Sequence, residues 1–262
     1  MTLNLFDRSA LLFLPASNPR AIAKARASAA DLVILDLEDA VRPEDKIAAR
    51  AAAVEAVGSS WPMPVAIRVN GTAAPEHADD LAAVTASNCD LVIMPSIRSA
   101  ADISALTKPV AAMIETAAAV LDASAITRVC QALIVGTNDL AADLRLPAGA
   151  GRGSISYALQ HVVLSARAAG IAAFDGVFNR LDDPEGFAAE AAESRALGFD
   201  GKTLIHPDQI APCHAAFAPS AEELDRARRL VAAASGGADR FEGAMVEAMH
   251  VAAARRLIAR YG

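Results

Sequence analysis

Short, unbroken apolar runs recur along the chain, separated by stretches of helical periodicity. They are ALLFLPA at 10–16, DLVILD at 31–36, PVAIRVN at 64–70, DLVIMPS at 90–96, PVAAMIE at 109–115, QALIVG at 131–136, GIAAFDG at 170–176 and GKTLIHP at 201–207. None alternates apolar with polar residues, and such runs are what a parallel sheet covered on both faces produces. Helical patterns fall at 18–29, at about 44–57 and near 76–86, with Asn18 placed as an N-cap and Pro19 suited to the first helical position. Eight strands alternating with helices predict an α/β fold of the (β/α)8 barrel type. A doubly wound open sheet is the alternative, because periodicity does not show closure.

Beyond the eighth strand a segment at 207–218 leads into PSAEELDRARRLVAAA, where Ser220 is placed to cap and Glu222 and Glu223 suit a first turn. Gly236 and Gly237 then break the chain before a last helix expected at about 240–259. The expected organisation is therefore a barrel over 1–218 and a C-terminal helical extension over 219–262, packed on the barrel or on a neighbouring subunit. LRLPAGAGRGS at 144–154 is a Gly/Pro-rich loop without the flanking pattern of a nucleotide cradle.

Composition narrows the classes. A length of 262 residues with 54% hydrophobic content is enough for one large core and close to what a single barrel uses. Aromatic residues make up only 4%, which suits many closely packed helices better than a β-sandwich. A net charge of −7 argues against a protein that holds nucleic acid on a basic surface. Cys89, Cys130 and Cys213 are far apart and in no metal-ligand spacing. MTLNLFDRSA has neither the charge nor the apolar length of a secretory signal, and no run approaches the roughly 18 residues of a membrane span. The sequence thus predicts a soluble cytoplasmic protein acting on a small molecule.

The chemistry emerges when polar residues are sorted by strand end, since the carboxyl ends of all eight barrel strands share one mouth. That rim would collect Asp36, Glu38 and Asp39, Arg68 with Asn70, Ser96, Glu115, Asn138 with Asp139, Asp175, and Lys202 with His206. Carboxylates about 4 Å apart repel by roughly 4 kcal/mol at an effective dielectric near 20, so a fold that gathers them supplies a cation. Glu115 and Asp139 follow apolar runs, and two oxygen ligands from neighbouring strands are how Mg²⁺ is usually held. Each residue also has an ordinary reading. Asp36 can cap a turn, Glu38 and Asp39 can open the following helix, and Lys202 can pair with a rim acid. Arg68 is either an ion-pair partner for Asp36 or Glu38 or the group that grips a substrate carboxylate. No Ser or Cys stands with a His and an acid in a nucleophilic arrangement.

RSALLFLPASNPR, LDLEDAVRPEDKIAAR, AIRVN, MIETA, GTNDLAADL and FDGVFNRLDDPEGF…ALGFDGKTLIHPDQI, in that order, resemble the successive motifs of citrate lyase β-subunit-like proteins, within the wider HpcH/HpaI aldolase and malyl-CoA lyase superfamily. The resemblance spans Arg8 to about Ala234. It implies an oligomeric (β/α)8 barrel, with a trimer as the expected number. That barrel uses Mg²⁺ to make or break the carbon–carbon bond of a 3-hydroxy-carboxyacyl thioester such as citryl-CoA, malyl-CoA or citramalyl-CoA. The products are a 2-oxo acid and an acyl group on CoA or an acyl-carrier protein. Carried over by motif, Glu115 and Asp139 are the metal ligands, Arg68 binds the oxo acid, Asp36 and Glu38 or Asp39 support the site or orient substrate, and Lys202 and His206 lie near the ligand-binding rim. The reaction also needs one acid or base, for which Asp36 is the candidate and a metal-bound water the competitor. Ser96 stands where the family commonly has lysine, Ala16 where glycine is usual, and TAAAV at 116–120 lacks the family's glycine. These departures leave two alternatives open: a metal-dependent aldolase on free 2-oxo acids, and a non-catalytic barrel subunit of a lyase complex.

Overall fold

The computed structural model describes residues 3–103 and 106–262. Each of the eight apolar runs supplies a strand: β1 Ala10–Pro15, β2 Leu32–Asp36, β3 Val65–Arg68, β4 Leu91–Met94, β5 Val110–Ile114, β6 Ala132–Val135, β7 Ala172–Asp175 and β8 Gly201–Leu204. All neighbours are parallel, and β8 returns to β1 with Ala10 opposite Lys202 and Leu11 opposite Thr203, so the sheet closes and the open-sheet alternative is excluded. Every strand is shorter than its apolar run, and in all but β2, which keeps Asp36, residues at the carboxyl end of the run leave the sheet for the mouth.

Alternation in each strand divides the barrel into two layers. Leu11, Leu32, Ile34, Ala66, Leu91, Ile93, Ala111, Met113, Ala132, Ile134, Ala172 and Phe174 fill the interior as one cluster. Each large aliphatic or aromatic side chain buried there contributes about 1.5–3 kcal/mol. Their neighbours in sequence, such as Val33, Leu35, Ile67, Val92 and Leu133, are equally buried, which explains why no polar alternation is visible in the sequence.

The helices of the barrel are α1 Pro19–Ala25, α2 Lys46–Val57, α3 His77–Ala86, α4 Ala117–Ile126, α5 Thr137–Asp143, α6 Ser156–Ala169, α7 Pro184–Leu197 and α8 Ile210–Phe217. Asn18 accepts from the N–H of Ala21 and Pro19 opens α1, but the helix ends at Ala25, short of 29. The helix expected from about 44 begins as a 3-10 turn over Pro43–Asp45 and becomes α-helical at Lys46.

The chain divides into two compact units, one ending at His214 and the other Ala215–Gly262. In the second unit α9 Ala221–Ala233 starts at Ser220, whose hydroxyl accepts from the N–H of Glu223 while the Glu223 carboxylate returns the contact. The stretch 240–259 is not one helix. A hairpin of β9 Asp239–Phe241 and β10 Ala244–Val246 precedes α10 Ala248–Tyr261. Glu242 and Gly243, with φ of 49° and 85°, make the two-residue turn, and the Glu-Gly pair hides a signal that Asn-Gly would have given. Ala227, Leu230, Val246 and Ala254 form this unit's own small core. No helix among the described residues is long and apolar enough to cross a membrane.

Candidate active site

Parallel pairing sets Asp36 of β2 beside Arg68 of β3 at the carboxyl end of the barrel. The guanidinium meets the carboxylate as a fork, Nε to Oδ1 and Nη2 to Oδ2, each at 2.7 Å. Both side chains are buried. Asp36 also accepts from the backbone N–H groups of Glu38 and Ala40 at 2.9 Å, so it caps its turn and anchors the arginine at once. Nη1 of Arg68 lies 3.0 Å from Glu38 Oε2 and 3.2 Å from Asp39 Oδ2, and the guanidinium stands 4.8 Å from the Phe13 ring centroid. Burial disfavours the cation, but Asp36, Glu38 and Asp39 outweigh it and raise the pKa of Arg68 further. The sequence left open whether Arg68 is an ion-pair partner or a grip. It makes the ion pair and still lines the cavity.

Glu115, just past β5, is held by Ser96. The backbone of Ser96 is left-handed, with φ of 52°, and turns its N–H onto Glu115 Oε1. The other oxygen, Oε2, is buried and makes no hydrogen bond within the protein. It lies against Gly136, where a Cβ would collide with the Cβ and Oε2 of Glu115, so this position beyond β6 needs glycine. Burial, with Asp139 and Asp39 adding to it, pushes the Glu115 carboxyl up to about 7 against the opposing Ser96 N–H and Arg68. Asp139 rides in the first turn of α5 and not on the strand itself; burial and Asp39 raise its pKa while Arg68 opposes. Glu38 is pushed to about 8, by burial first and then by Asp39, Glu115 and Asp36, despite Arg68. Five carboxylates thus surround one guanidinium.

Part of this set opens on a cavity of about 280 Å³, whose lining does not include Glu38 or Glu115. Asp36, Asp39, Arg68 and Asp139 line it together with the apolar Phe13, Met113, Val135, Val177 and Ile205, and with Gly136, Thr137, Asn138, Asn179 and Thr203. The donor set fits a divalent cation. A carboxylate oxygen lacks any donor, a second carboxylate is near, and negative charge is in excess. No group of three or more His, Cys, Asp or Glu among the described residues is arranged to hold a metal; a divalent ion here would have Glu115 and Asp139 as its side-chain ligands, and Mg²⁺ ordinarily fills its other positions with water and substrate.

Lys202, His206 and Asp175 are not part of this set. Lys202 sits beside Asp175 and Ala10 in register, on the face opposite the inward Leu11 and Phe174. Its Nζ reaches Asp175 at 2.6 Å and Glu190 of α7 at 2.7 Å. Arg152 and Ser194 complete the Asp175 cluster; burial raises the Asp175 carboxyl but Lys202 and Arg152 outweigh it and hold it low. The placement of Lys202 near the ligand rim is therefore corrected. One residue of offset in a strand turns a side chain to the other face. His206 is a partly exposed cap, its ring nitrogen accepting from the N–H of Asp208, and it lines a separate cavity of about 60 Å³. Asn70 is held behind the rim by Asp80 and Lys46. Sequence reasoning missed Lys46 and the cavity residues Asn179, Thr137 and Thr203. The position of Asn179, four residues past the end of β7, was the available signal.

A closed (β/α)8 barrel with an acidic, arginine-bearing mouth defines a class of enzyme fold in which the site lies at the carboxyl ends of the strands. Within it, residues 9–207 match the family described as HpcH/HpaI aldolase/citrate lyase, and the chain belongs to that family. It is 36% identical over 266 residues to a (3S)-malyl-CoA thioesterase of Cereibacter sphaeroides, covering 95% of this chain and 93% of that protein. It is 37% identical to a citrate lyase subunit beta-like protein of Deinococcus radiodurans, covering 95% of each. The crystal structure of CitE from Mycobacterium tuberculosis, in complex with magnesium, acetoacetate and coenzyme A, superposes with a TM-score of 0.88 at 35% identity, covering 98% of this chain and 99% of that one.

Proposed function

We propose that this chain is a Mg²⁺-dependent carbon–carbon lyase. It cleaves a 3-hydroxy-carboxyacyl thioester, of which malyl-CoA is the simplest case, into an acyl-CoA and a 2-oxo acid. The observation that carries the reading is Arg68, a buried cation fixed by a fork to Asp36 at 2.7 Å and presented to a cavity otherwise rich in carboxylates. A 2-oxo acid offers a planar carboxylate and carbonyl to such a group, and the orphan Oε2 of Glu115 supports a cation beside it. A divalent ion held by Glu115 and Asp139 would supply positive charge to the oxygens of the oxo-acid portion.

The chain's own residues then divide the work. Arg68 orients the carboxylate of the oxo-acid portion, using an Nη2 hydrogen that Asp36 does not take. Asp36 accepts four hydrogen bonds, so it positions Arg68 and does not move a proton. Asp39 is the remaining cavity carboxylate with an accessible oxygen, and it takes the proton of the 3-hydroxyl. Phe13, Met113, Val177 and Ile205 exclude water from the breaking bond.

A second reading has a specific observation behind it. A relative with 36% identity is a (3S)-malyl-CoA thioesterase, so hydrolysis of the same thioester is the competing outcome. Incubating the protein and Mg²⁺ with malyl-CoA, citramalyl-CoA and citryl-CoA, and measuring 2-oxo acid as its phenylhydrazone beside free CoA thiol, separates the two. Oxo acid without thiol is the expected result. Thiol without oxo acid overturns the lyase reading, and neither product from any ester overturns both.

A further inference from the structure

Asn138 and Asn179 bind each other across the mouth. Asn138 lies in the first turn of α5, Asn179 in the loop after β7. The Nδ2 of Asn179 donates to the Oδ1 of Asn138 at 2.8 Å, and the Nδ2 of Asn138 returns a longer contact of 3.4 Å to the Oδ1 of Asn179. Both line the 280 Å³ cavity and both are exposed. Each amide carries two N–H groups and spends one on the pair, which leaves one per residue without a partner among the described residues. The hydroxyl of Thr203, another neutral donor of the lining, is engaged by the Asp175 carbonyl at 3.0 Å. Asp36, Asp39 and Asp139 are acceptors when ionised and repel developing negative charge.

A lyase of this kind must manage two negative charges in different places. The carboxylate of the oxo-acid portion belongs at the buried end of the cavity with Arg68. The thioester carbonyl, attached to the bulky carrier, belongs at the exposed end. When the C2–C3 bond of the 3-hydroxyacyl thioester breaks, the hydroxyl proton leaves to Asp39 and the C3 oxygen becomes the carbonyl of the oxo acid. The electron pair of the broken bond moves through C2 and C1 onto the thioester oxygen, and C2 later takes a proton from water. That oxygen needs neutral N–H donors, since a carboxylate beside it would oppose the step.

We propose that the free N–H groups of Asn138 and Asn179 hold the thioester oxygen and stabilise the enolate formed on it. The proposal rests on the acyl-thioester reading above. It is indifferent to which bond breaks, because attack of water at C1 with loss of CoA thiol places negative charge on the same oxygen. The reciprocal pair keeps the two amides oriented before substrate arrives, so little ordering remains to be done at the reaction step.

The test compares the wild-type protein with Asn138→Ala, Asn179→Ala and, as gentler versions, Asn138→Ser and Asn179→Ser. Three readouts are kcat/KM on malyl-CoA, the rate of deuterium entry into the methyl group of acetyl-CoA in heavy water, and calorimetric affinity for glyoxylate with Mg²⁺. Each alanine variant is expected to lose about 100-fold in turnover and in deuterium entry, the usual effect of removing one such donor, with glyoxylate affinity within about twofold of wild type. Turnover within threefold of wild type in folded variants overturns the assignment, as does a parallel loss of glyoxylate affinity. Wild-type protein silent on every thioester overturns the parent reading and this one with it, whereas active wild type with unimpaired variants overturns the amide role alone.

Discussion

Replacing Glu115 by glutamine removes one negative charge while keeping the acceptor that Ser96 uses. The Glu115 carboxyl moves from its ordinary value of 4.5 to about 7 in the folded chain. At about 1.4 kcal/mol per pKa unit, ionised Glu115 therefore costs on the order of 3 kcal/mol of stability when no cation is bound. The sign follows from the upward shift. Below the unfolded value the carboxyl is neutral in both states and nothing is lost. Between about 4.5 and 7 the folded state binds the extra proton, so stability falls as pH rises, and above 7 the loss is complete. The substituted amide cannot ionise and escapes this loss. In EDTA at pH 8 Glu115→Gln should melt above wild type by about 6–12 °C, taking roughly 2–4 °C per kcal/mol for a chain of this size. At pH 4 the two should coincide. Glu38 is pushed to about 8 partly by Glu115 itself, so the difference between the curves reports the Glu115 charge together with the repulsion it exerts on Glu38. Adding Mg²⁺ at pH 8 should raise the melting temperature of wild type and leave the variant nearly unmoved. Scanning calorimetry from pH 4 to 8, with and without Mg²⁺, measures all four curves. Parallel pH curves in EDTA together with equal Mg²⁺ shifts would refute the reasoning.

Three further substitutions probe neighbouring parts of the molecule. Gly136→Ala drives a methyl group into Glu115, so calorimetric Mg²⁺ affinity should drop at least tenfold while the far-ultraviolet circular dichroism stays native; undiminished affinity would show that Gly136 does not set the position of Glu115. Arg68→Lys exchanges the fork on Asp36 for a single contact, and charge-assisted hydrogen bonds are worth about 1.5–3 kcal/mol each. It should therefore lower the melting temperature by several degrees and turnover at least tenfold, and an unchanged melting temperature would show that the fork contributes no stability. Lys202→Met leaves Asp175 buried with Arg152 and Ser194 but without its nearest cation, for which about 3–5 kcal/mol of destabilisation is expected. Denaturant titration measures this, and since Lys202 does not line the cavity, binding of glyoxylate to the folded protein should survive.

The barrel was legible because its determinants are local: eight apolar runs, each ending in polar residues, force eight doubly covered parallel strands. The pairing of Asp36 with Arg68 was half visible, since both stand at strand ends but only register puts them side by side. What the sequence hid depends on alternation within a strand. Asp175 ends its apolar run just as Asp36 and Arg68 do, and Lys202, the second residue of β8, pairs beside it, yet both face the helices, because β7 and β8 present Phe174 and Thr203 inward. The dependence of Glu115 on Ser96 and Gly136 was equally hidden, since three separate loops meet there. The β9–β10 hairpin escaped because three-residue strands joined by Glu-Gly carry too little pattern to compete with the helical periodicity around them.

The most direct test of the lyase claim is a single proton-NMR time course of malyl-CoA with the protein and Mg²⁺, repeated in EDTA. Acetyl-CoA and glyoxylate should grow in equal amounts with Mg²⁺, with no malate, and no conversion should occur in EDTA. Malate and free CoA appearing in place of acetyl-CoA and glyoxylate would contradict the claim.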